Sequence, residues 1–472
     1  MDKEGIANNI VDVKIKRDPF AAMKKSDIDE IQRKIVEEIK SARPLFVGIS
    51  CYTTEYTTVM PLARLIKENC HTTIIIGGLH ATLRPEDFIF EDSPVDFVVI
   101  GEGEITLAEL LRVSLKGSPL EDVKGIAFMR QDRLVRTQDR ERIQDLGLLP
   151  RPAYEKLNME YYLKPTRYLV RLLLLSGLHI LTTRGCPHQC TFCANRMKKV
   201  TYRPIADVVD ELKWLKKNYY IDSFYIADDT FCIRKERVYE FIELLGEIPY
   251  NSIWAMETTV KSIDEKMIRQ LKKAGCIQID FGVESGSQEA LNRMKKGITV
   301  EEIEETFRLC RRYGIRTYAN VMFNTPEERE EDVQKTINLM KQIRATNYGI
   351  NLTVPFVGTE VYEKYVSPKL TKDEYYIYND PDLLYHSIPD KRFRLAKHNL
   401  DLPRLYTKVL LRFTLLRAIL DITLNRHYWL TLLRSKRRLD YIIYFIEGLK
   451  RQARVFYRYF IRFISKKEII QQ

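Results

Sequence analysis

The chain has 472 residues, 45% of them hydrophobic and 30% charged, so it is long enough for more than one domain and apolar enough to give each a core. Its net charge of +12 is unevenly placed: residues 391–472 hold 20 Lys and Arg against five acids, a net of +15, which leaves −3 on residues 1–390. Neither a secretory signal nor a membrane span is expected, because MDKEGIANN opens no apolar run and the longest apolar stretch, YLVRLLLLSGLHIL, is short and carries Arg171.

Residues 1–140 read as a separate α/β domain. SARPLFVGISCYTTEY places a strand at 45–50, PLARLIKEN a helix at 61–69, and HTTIIIGGLHAT a second strand that opens into a loop at Gly77 and Gly78. VDFVVIGEGEITLAELL adds a third strand, a loop holding Gly101 and Gly103, and a helix. DVKIKRDPF, near the start, reads as a further strand. Residues 141–177, with Pro150 and Pro152 among short apolar anchors, form the linker.

Strands and helices alternate from residue 178 to 365. LHILTTR (178–184) is followed by a helix at 205–219, strand 222–228, helix 235–245, strand 251–259 and helix 264–275. Strand 277–283, helix 300–314, strand 316–323, helix 328–343 and strand 348–356 complete six βα units, for which a parallel, barrel-like sheet is the natural solution. After 366 the chain is helical by composition. Arg404, Lys408 and Arg412, then Lys450, Arg454, Arg458 and Arg462, recur at four-residue spacing beside Val455, Phe456, Tyr459, Phe460 and Phe463. Such a tail suits an anionic lipid surface, or a basic face lying over the barrel; no nucleic-acid recognition module accompanies the charge, so no nucleic acid is expected.

Cys186, Cys190 and Cys193 stand together in RGCPHQCTFCANR, whereas Cys51, Cys70, Cys232, Cys276 and Cys310 are scattered without a disulfide framework, as in a reducing cytoplasm. Three thiolates on one loop suit a 4Fe-4S cluster with one iron left open, since four cysteines normally close the cubane. Zinc completed by His188, or buried apolar cysteines, are the other readings.

The Cys-x3-Cys-x2-Cys spacing, with Phe192 just before the last cysteine, resembles the signature of the radical S-adenosylmethionine (SAM) superfamily. That resemblance implies a partial (β/α)6 barrel, a 4Fe-4S cluster on the three cysteines, and SAM chelated by the open iron and cleaved reductively to a 5′-deoxyadenosyl radical. It assigns the SAM amino group to the acidic pair Asp228 and Asp229, with a helix amino-cap as the other reading of Asp229. It sets Glu284 and Ser285 of FGVESGS near the ribose and carboxylate, and Pro355 and Gly358 of VPFVGTEVYEKY beside the adenine. Asn324 and Glu327 stand where relatives have glycines, and Thr258 and Thr259 where relatives often carry an arginine.

The first 140 residues resemble the cobalamin-binding domain that precedes the barrel in one radical SAM group, which includes the anaerobic magnesium-protoporphyrin ester cyclase and several methyltransferases. Gly77, Gly78, Gly101 and Gly103 are then candidate cobalamin contacts. The Asp-x-His-x-x-Gly signature of the lower cobalt ligand is absent, and His80 is either a substitute ligand or a satisfied loop histidine. DVKIKRDPF would be the second strand of that domain, with the first strand and helix missing. The expectation is a cytoplasmic enzyme, peripheral to the membrane through its tail. It would take electrons from a one-electron donor such as flavodoxin or ferredoxin and methylate an unactivated carbon of a small, lipid-like substrate with cobalamin. Cobalamin-free cyclisation or rearrangement, and a non-catalytic iron-sulfur carrier, are the alternatives.

Overall fold

The computed structural model describes residues 1–16, 25–195, 197–246, 253–378, 391–401 and 423–446, with single positions between 404 and 413. The first domain is a five-stranded sheet in sequence order: β1 (Phe46–Ser50), β2 (Thr73–Gly77), β3 (Phe97–Val99), β4 (Ile126–Arg130) and β5 (Arg133–Arg136). β1, β2 and β3 are parallel; β4 and β5 form an antiparallel hairpin on the edge. On one face, Ile35, Val36 and Ile39 of α1 (Lys25–Ala42) and Leu62, Ala63 and Ile66 of α2 (Tyr56–Asn69) pack on Ile74, Ile76 and Val98, around the short α3 (Leu79–Leu83). On the other, α4 (Gly103–Lys116) covers Ile75 and Val99 through Leu110 and Leu111.

The strand expected at DVKIKRDPF does not form over residues 12–16. Asp12 Oδ1 accepts the Lys14 amide at 3.0 Å, a turn that competes with extended pairing, and Lys14–Lys16 close a 3-10 helix that leaves Val13 and Ile15 exposed. Residues 17–20 lie outside the described set. Among the described residues the sheet starts at β1, with α1 before it.

The linker holds α5 (Met159–Tyr162) and a hairpin, β6 (Thr166–Val170) with β7 (Leu173–Leu175). The second sheet runs in strict sequence order and wholly in parallel. It comprises β8 (Gly177–Ile180), β11 (Ser223–Ile226), β12 (Ile253–Thr258), β13 (Cys276–Glu284), β14 (Arg316–Phe323) and β15 (Asn347–Leu352); β9 (Thr183–Arg184) and β10 (Thr201–Tyr202) pair separately. The connecting helices are α6 (Ile205–Tyr219), α7 (Lys235–Gly246), α8 (Glu265–Lys273), the short α9 (Gln288–Arg293), α10 (Val300–Arg312) and α11 (Glu330–Ile343); α12 (Glu360–Tyr365) and α13 (Lys372–Tyr378) follow β15.

Alternation along the strands divides the barrel. Phe224, Ile226, Trp254 and Met256 join the core under the helices, while Tyr225, Ile253, Ala255 and Ile277 pack inward on Leu169, Val170, Leu173 and Leu175 of the β6–β7 hairpin. The hairpin thus plugs the amino-terminal mouth. Between its strands, Arg171 donates to Asp280 Oδ2 at 3.2 Å and lies over the Tyr318 ring at 4.9 Å. The carboxyl ends of the strands stay open for a site. No helix of the described residues is long and apolar enough to cross a membrane.

Candidate functional site at the carboxyl ends of both sheets

The cysteine loop leaves the end of β9 through Gly185, whose φ is +98° and where a Cβ would stand 2.5 Å from the Met197 carbonyl oxygen, so only glycine fits. The Cys186 amide donates to Met197 O at 2.9 Å and the Cys193 amide to Cys190 O at 3.2 Å. Thr191 pins the loop across the barrel, donating to Met294 O at 3.0 Å and accepting the Val361 amide at 3.1 Å. Cys186 and Cys190 are partly buried and Cys193 is exposed, whereas Cys51, Cys232, Cys276 and Cys310 are buried. Burial pushes the Cys186 and Cys190 thiols up, so iron must displace their protons on binding. Among the described residues no three His, Cys, Asp or Glu side chains close on a single ion. Three thiols on one glycine-hinged loop match a cubane, where each thiolate meets its own iron, better than one tetrahedral ion.

Of the acidic pair, Asp228 turns inward. Its Oδ1 accepts the Thr182 amide at 2.6 Å and the Thr183 amide at 3.0 Å, and its Oδ2 accepts the Thr182 hydroxyl at 2.5 Å. Buried against the end of β8, it is a positioning group for the backbone that launches the cysteine loop. Asp229 faces the loop itself: Asn195 Nδ2 donates to its Oδ2 at 2.6 Å, and its charge acts on the Cys186 thiol. Its carboxyl lies above the usual range, chiefly through burial.

Across the loop, Glu284 ends β13 at φ +62°, and Lys296 donates to its Oε1 at 2.6 Å. Burial pulls the Lys296 ammonium down, but Glu284 and Cys190 outweigh it and hold it above its ordinary range. Lys296 also stands 5.9 Å from the centre of the Phe192 ring. Cys190, Phe192, Glu284 and Lys296 therefore share one corner. A Cβ on Gly282 would fall 2.5 Å from both Glu284 Oε1 and Lys296 Nζ, so a larger residue there would push this pair aside. Ser285 does not join them: it is buried, and its hydroxyl meets Thr336 Oγ1 at 3.1 Å, bonding the loop to α11.

Glu257 on β12, which sequence reasoning passed over, has the inward parity of Ala255 and pairs in register with Asp280. Burial, then the Asp280 and Glu284 carboxylates, push its carboxyl up to about 7. Thr258 meets Thr230 at 3.3 Å, and among the described residues the cation paired with Glu284 is Lys296.

Asn324 and Glu327 stand at positive φ, +61° and +55°, a backbone that glycine adopts without strain. Asn324 Oδ1 accepts the Leu395 amide at 2.8 Å and the Ala396 amide at 3.2 Å, so the substitution ties the carboxyl-terminal segment to the barrel. The Pro355 carbonyl accepts the Tyr375 hydroxyl at 3.2 Å. Gly358, at φ +82°, lies under Leu83 of α3, where a Cβ would stand 2.9 Å from the leucine methyls.

That contact shows the two domains meeting at their carboxyl edges. Arg184, two residues before Cys186, donates to Glu102 Oε1 at 2.9 Å in the loop after β3 and to Glu104 Oε1 at 2.5 Å in the first turn of α4. Gly78 needs its φ of +97°, because a Cβ would sit 2.8 Å from the Cys51 carbonyl, whereas Gly101 has open space before it; Gly77 and Gly103 only border Val99. Tyr52 after β1, Leu79 at the start of α3, Ile105 in the first turn of α4 and Leu181 after β8 are exposed apolar side chains on this edge. A large flat macrocycle would cover such a rim. His80 does not reach it. Fully buried, its Nδ1 meets Thr53 Oγ1 at 3.1 Å and its Nε2 meets the Tyr376 hydroxyl at 2.8 Å, which makes it the satisfied loop histidine.

Residues 180–340 match the model of the Radical SAM superfamily, and residues 11–111 match that of the B12 binding domain. An uncharacterized methyltransferase of Pyrococcus horikoshii is 28% identical over 342 residues, covering 71% of this chain and 72% of its own. The anaerobic magnesium-protoporphyrin IX monomethyl ester cyclase of Rubrivivax gelatinosus is 28% identical over 327 residues, of which this chain spans 57% of the cyclase's length. Among solved structures, the radical SAM methyltransferase TsrM from Kitasatospora setae, with cobalamin and a [4Fe-4S] cluster bound, superposes with a TM-score of 0.65 at 21% identity, covering 78% of this chain and 73% of TsrM. At that identity the match speaks for the fold.

Proposed function

The chain belongs to the radical SAM superfamily, in the group with a B12-binding domain ahead of the barrel, and we propose that it methylates an unactivated carbon of a small molecule. The observation that carries this reading is the Arg184 bridge, which sets the loop of Cys186, Cys190 and Cys193 against Glu102 and Glu104 at the facing carboxyl edges of both sheets. When bound, a 4Fe-4S cluster supplies the electron that cleaves SAM, and cobalamin carries the methyl group. The residues divide the remaining work. Asp229 and Glu284 offer carboxylates to the amino and ribose groups of SAM, Lys296 gives the positive charge for its carboxylate, and Phe192 shields that corner. Pro355 and Gly358 present backbone to the adenine. Gly77, Gly78, Gly101 and Gly103 let the loops after β2 and β3 approach the corrin, without a lower histidine from His80.

A one-electron donor such as flavodoxin or ferredoxin would reach the cluster past the exposed Cys193. The same protein would sit on anionic membranes through its basic tail; of the residues that suggested this, Lys408, Arg412 and all of those from Lys450 to Phe463 lie outside the described set. The test of the catalytic reading is 5′-deoxyadenosine formation by the reconstituted, reduced protein. Cys186→Ala should abolish it and Cys310→Ala should not; equal loss from both would remove the assignment of the triplet.

A further inference from the structure

The carboxyl-terminal half of the barrel lumen is walled by polar side chains that the cofactors leave unused. Strand alternation decides which these are. On β14, Ala319, Val321 and Phe323 join the core under the helices, and on β15 Tyr348, Ile350 and Leu352 do the same. Asn320 and Met322 of β14, and Asn347, Gly349 and Asn351 of β15, therefore face the lumen. Glu257 faces them from β12, in one register row with Asp280, Tyr318 and Asn347. A barrel interior packed for stability alone fills such positions with Val, Ile or Leu.

Hydrogen-bonding capacity on this lining is left open. Glu257 and Asn351 are the penultimate residues of their strands, next to the carboxyl mouth, and with Asn320 they are half-buried. Among the described residues none of these three side chains makes a hydrogen bond or an ion pair. Deeper on the same wall, Asn347 is 1% exposed, with neither its Oδ1 nor its Nδ2 partnered. An unpaired buried carboxamide is destabilising, and packing alone would favour an apolar residue of its shape. The two cations near Glu257 are committed elsewhere, Lys296 to Glu284 at 2.6 Å and Arg171 to Asp280 at 3.2 Å. The Asp280 and Glu284 carboxylates act on Glu257 more strongly than those cations do, so the local potential favours a positive charge.

We propose that the substrate is a hydrophilic molecule with a protonated nitrogen, which Glu257 receives in the lumen while Asn320 and Asn351 bond its other polar groups, so that Glu257 determines specificity. The proposal rests on the methyltransferase reading above and names the substrate class of that same site. Each carboxamide offers both a donor and an acceptor, so the asparagines accommodate hydroxyl, amide or carboxylate groups, and Glu257 is the residue that discriminates charge. A site built to pair polar groups rejects an analogue that lacks them, because its own groups are then left unpaired. An alkyl chain laid against Glu257 and Asn351 would desolvate them without bonding them, which disfavours a lipid-like substrate.

The test is equilibrium dialysis of the reconstituted, SAM-loaded full chain at about pH 8 with three probes: benzylamine, its neutral isostere benzyl alcohol, and decanol. The expected result is benzylamine bound about tenfold or more tightly than benzyl alcohol, a preference that Glu257→Gln abolishes while SAM still binds. Asn351→Leu should weaken both aromatic probes and keep their ratio. Equal affinities for amine and alcohol in the parent, a preference that survives Glu257→Gln, no response to Asn351→Leu, or decanol bound ahead of benzylamine would each overturn the substrate class; 5′-deoxyadenosine formation by the same sample would leave the methyltransferase reading standing. If Glu257→Gln loses SAM as well, the carboxylate serves the methionyl ammonium of SAM and the proposal falls. A parent that forms no 5′-deoxyadenosine brings down the reading and the proposal together.

Discussion

Replacing Asp228 by alanine removes the acceptor of three buried donors, the Thr182 and Thr183 amides and the Thr182 hydroxyl. Hydrogen bonds to a charged group are worth about 1.5–3 kcal/mol each, and part of that is offset because burial raises the Asp228 carboxyl and taxes its ionised form. The net loss of folding stability should be on the order of 3–5 kcal/mol, a large share of the 5–15 kcal/mol or so that a domain commands. Asp228→Asn keeps Oδ1 for both amides and turns an NH2 toward a hydroxyl that can rotate to accept, so it should cost about 1 kcal/mol. Urea unfolding of the reduced apoprotein, beside calorimetric titration of SAM into the reconstituted protein, separates the roles. An Asp228→Ala variant as stable as the parent, yet weaker for SAM, would refute the positioning role and return the carboxylate to the ligand.

Two further predictions rest on other buried groups. Glu257 is raised from 4.5 to about 7, so the folded state holds its proton more tightly than the unfolded state; stability is full below about pH 4.5 and falls as pH rises to about 7. Glu257→Gln should therefore match the parent near pH 4.5 and exceed it by up to about 3 kcal/mol above pH 7, in denaturant titrations across that range; a pH-independent difference would place Glu257 in solvent. His80→Phe should cost about 1–3 kcal/mol by removing the ring's hydrogen bonds to Thr53 and to the Tyr376 hydroxyl, which keeps Asp87, while leaving the visible spectrum of the corrin-loaded protein unchanged, and a spectral shift would make His80 a cobalt ligand.

What the sequence showed clearly was whatever rests on period and local spacing. All six barrel strands and the intervening helices at 205–219, 235–246, 300–312 and 330–343 fall within a few residues of their expected bounds, because each buries one face with regular alternation. DVKIK failed since two apolar residues in alternation are outweighed by one aspartate turn. The helix 25–42 and the β4–β5 and β6–β7 hairpins passed unnoticed, being bounded by weaker turn signals. Within the site, the cysteines announced themselves, but which of two adjacent aspartates faces the loop depends on strand parity and on Thr182, 46 residues away. Arg184 closes the LHILTTR strand and opens the cysteine loop, and Lys296 lies twelve residues past Glu284 of FGVESGS. Their partners, Glu284 and Glu102, are set by tertiary folding, which spacing alone does not reveal. Glu257 was legible in principle, since WAMET alternates, yet only the closed barrel brings Asp280 beside it.

The most direct test of the central claim is a cofactor inventory on one anaerobically reconstituted sample, with iron, sulfide and corrin quantified beside the ultraviolet-visible spectrum. The account predicts about four irons and one corrin per chain, with Cys186→Ala losing the iron and keeping the corrin, since thiolate and glycine loops hold the two groups separately. Zinc in place of iron, or a chain that takes up the cluster and SAM but no corrin, would contradict it.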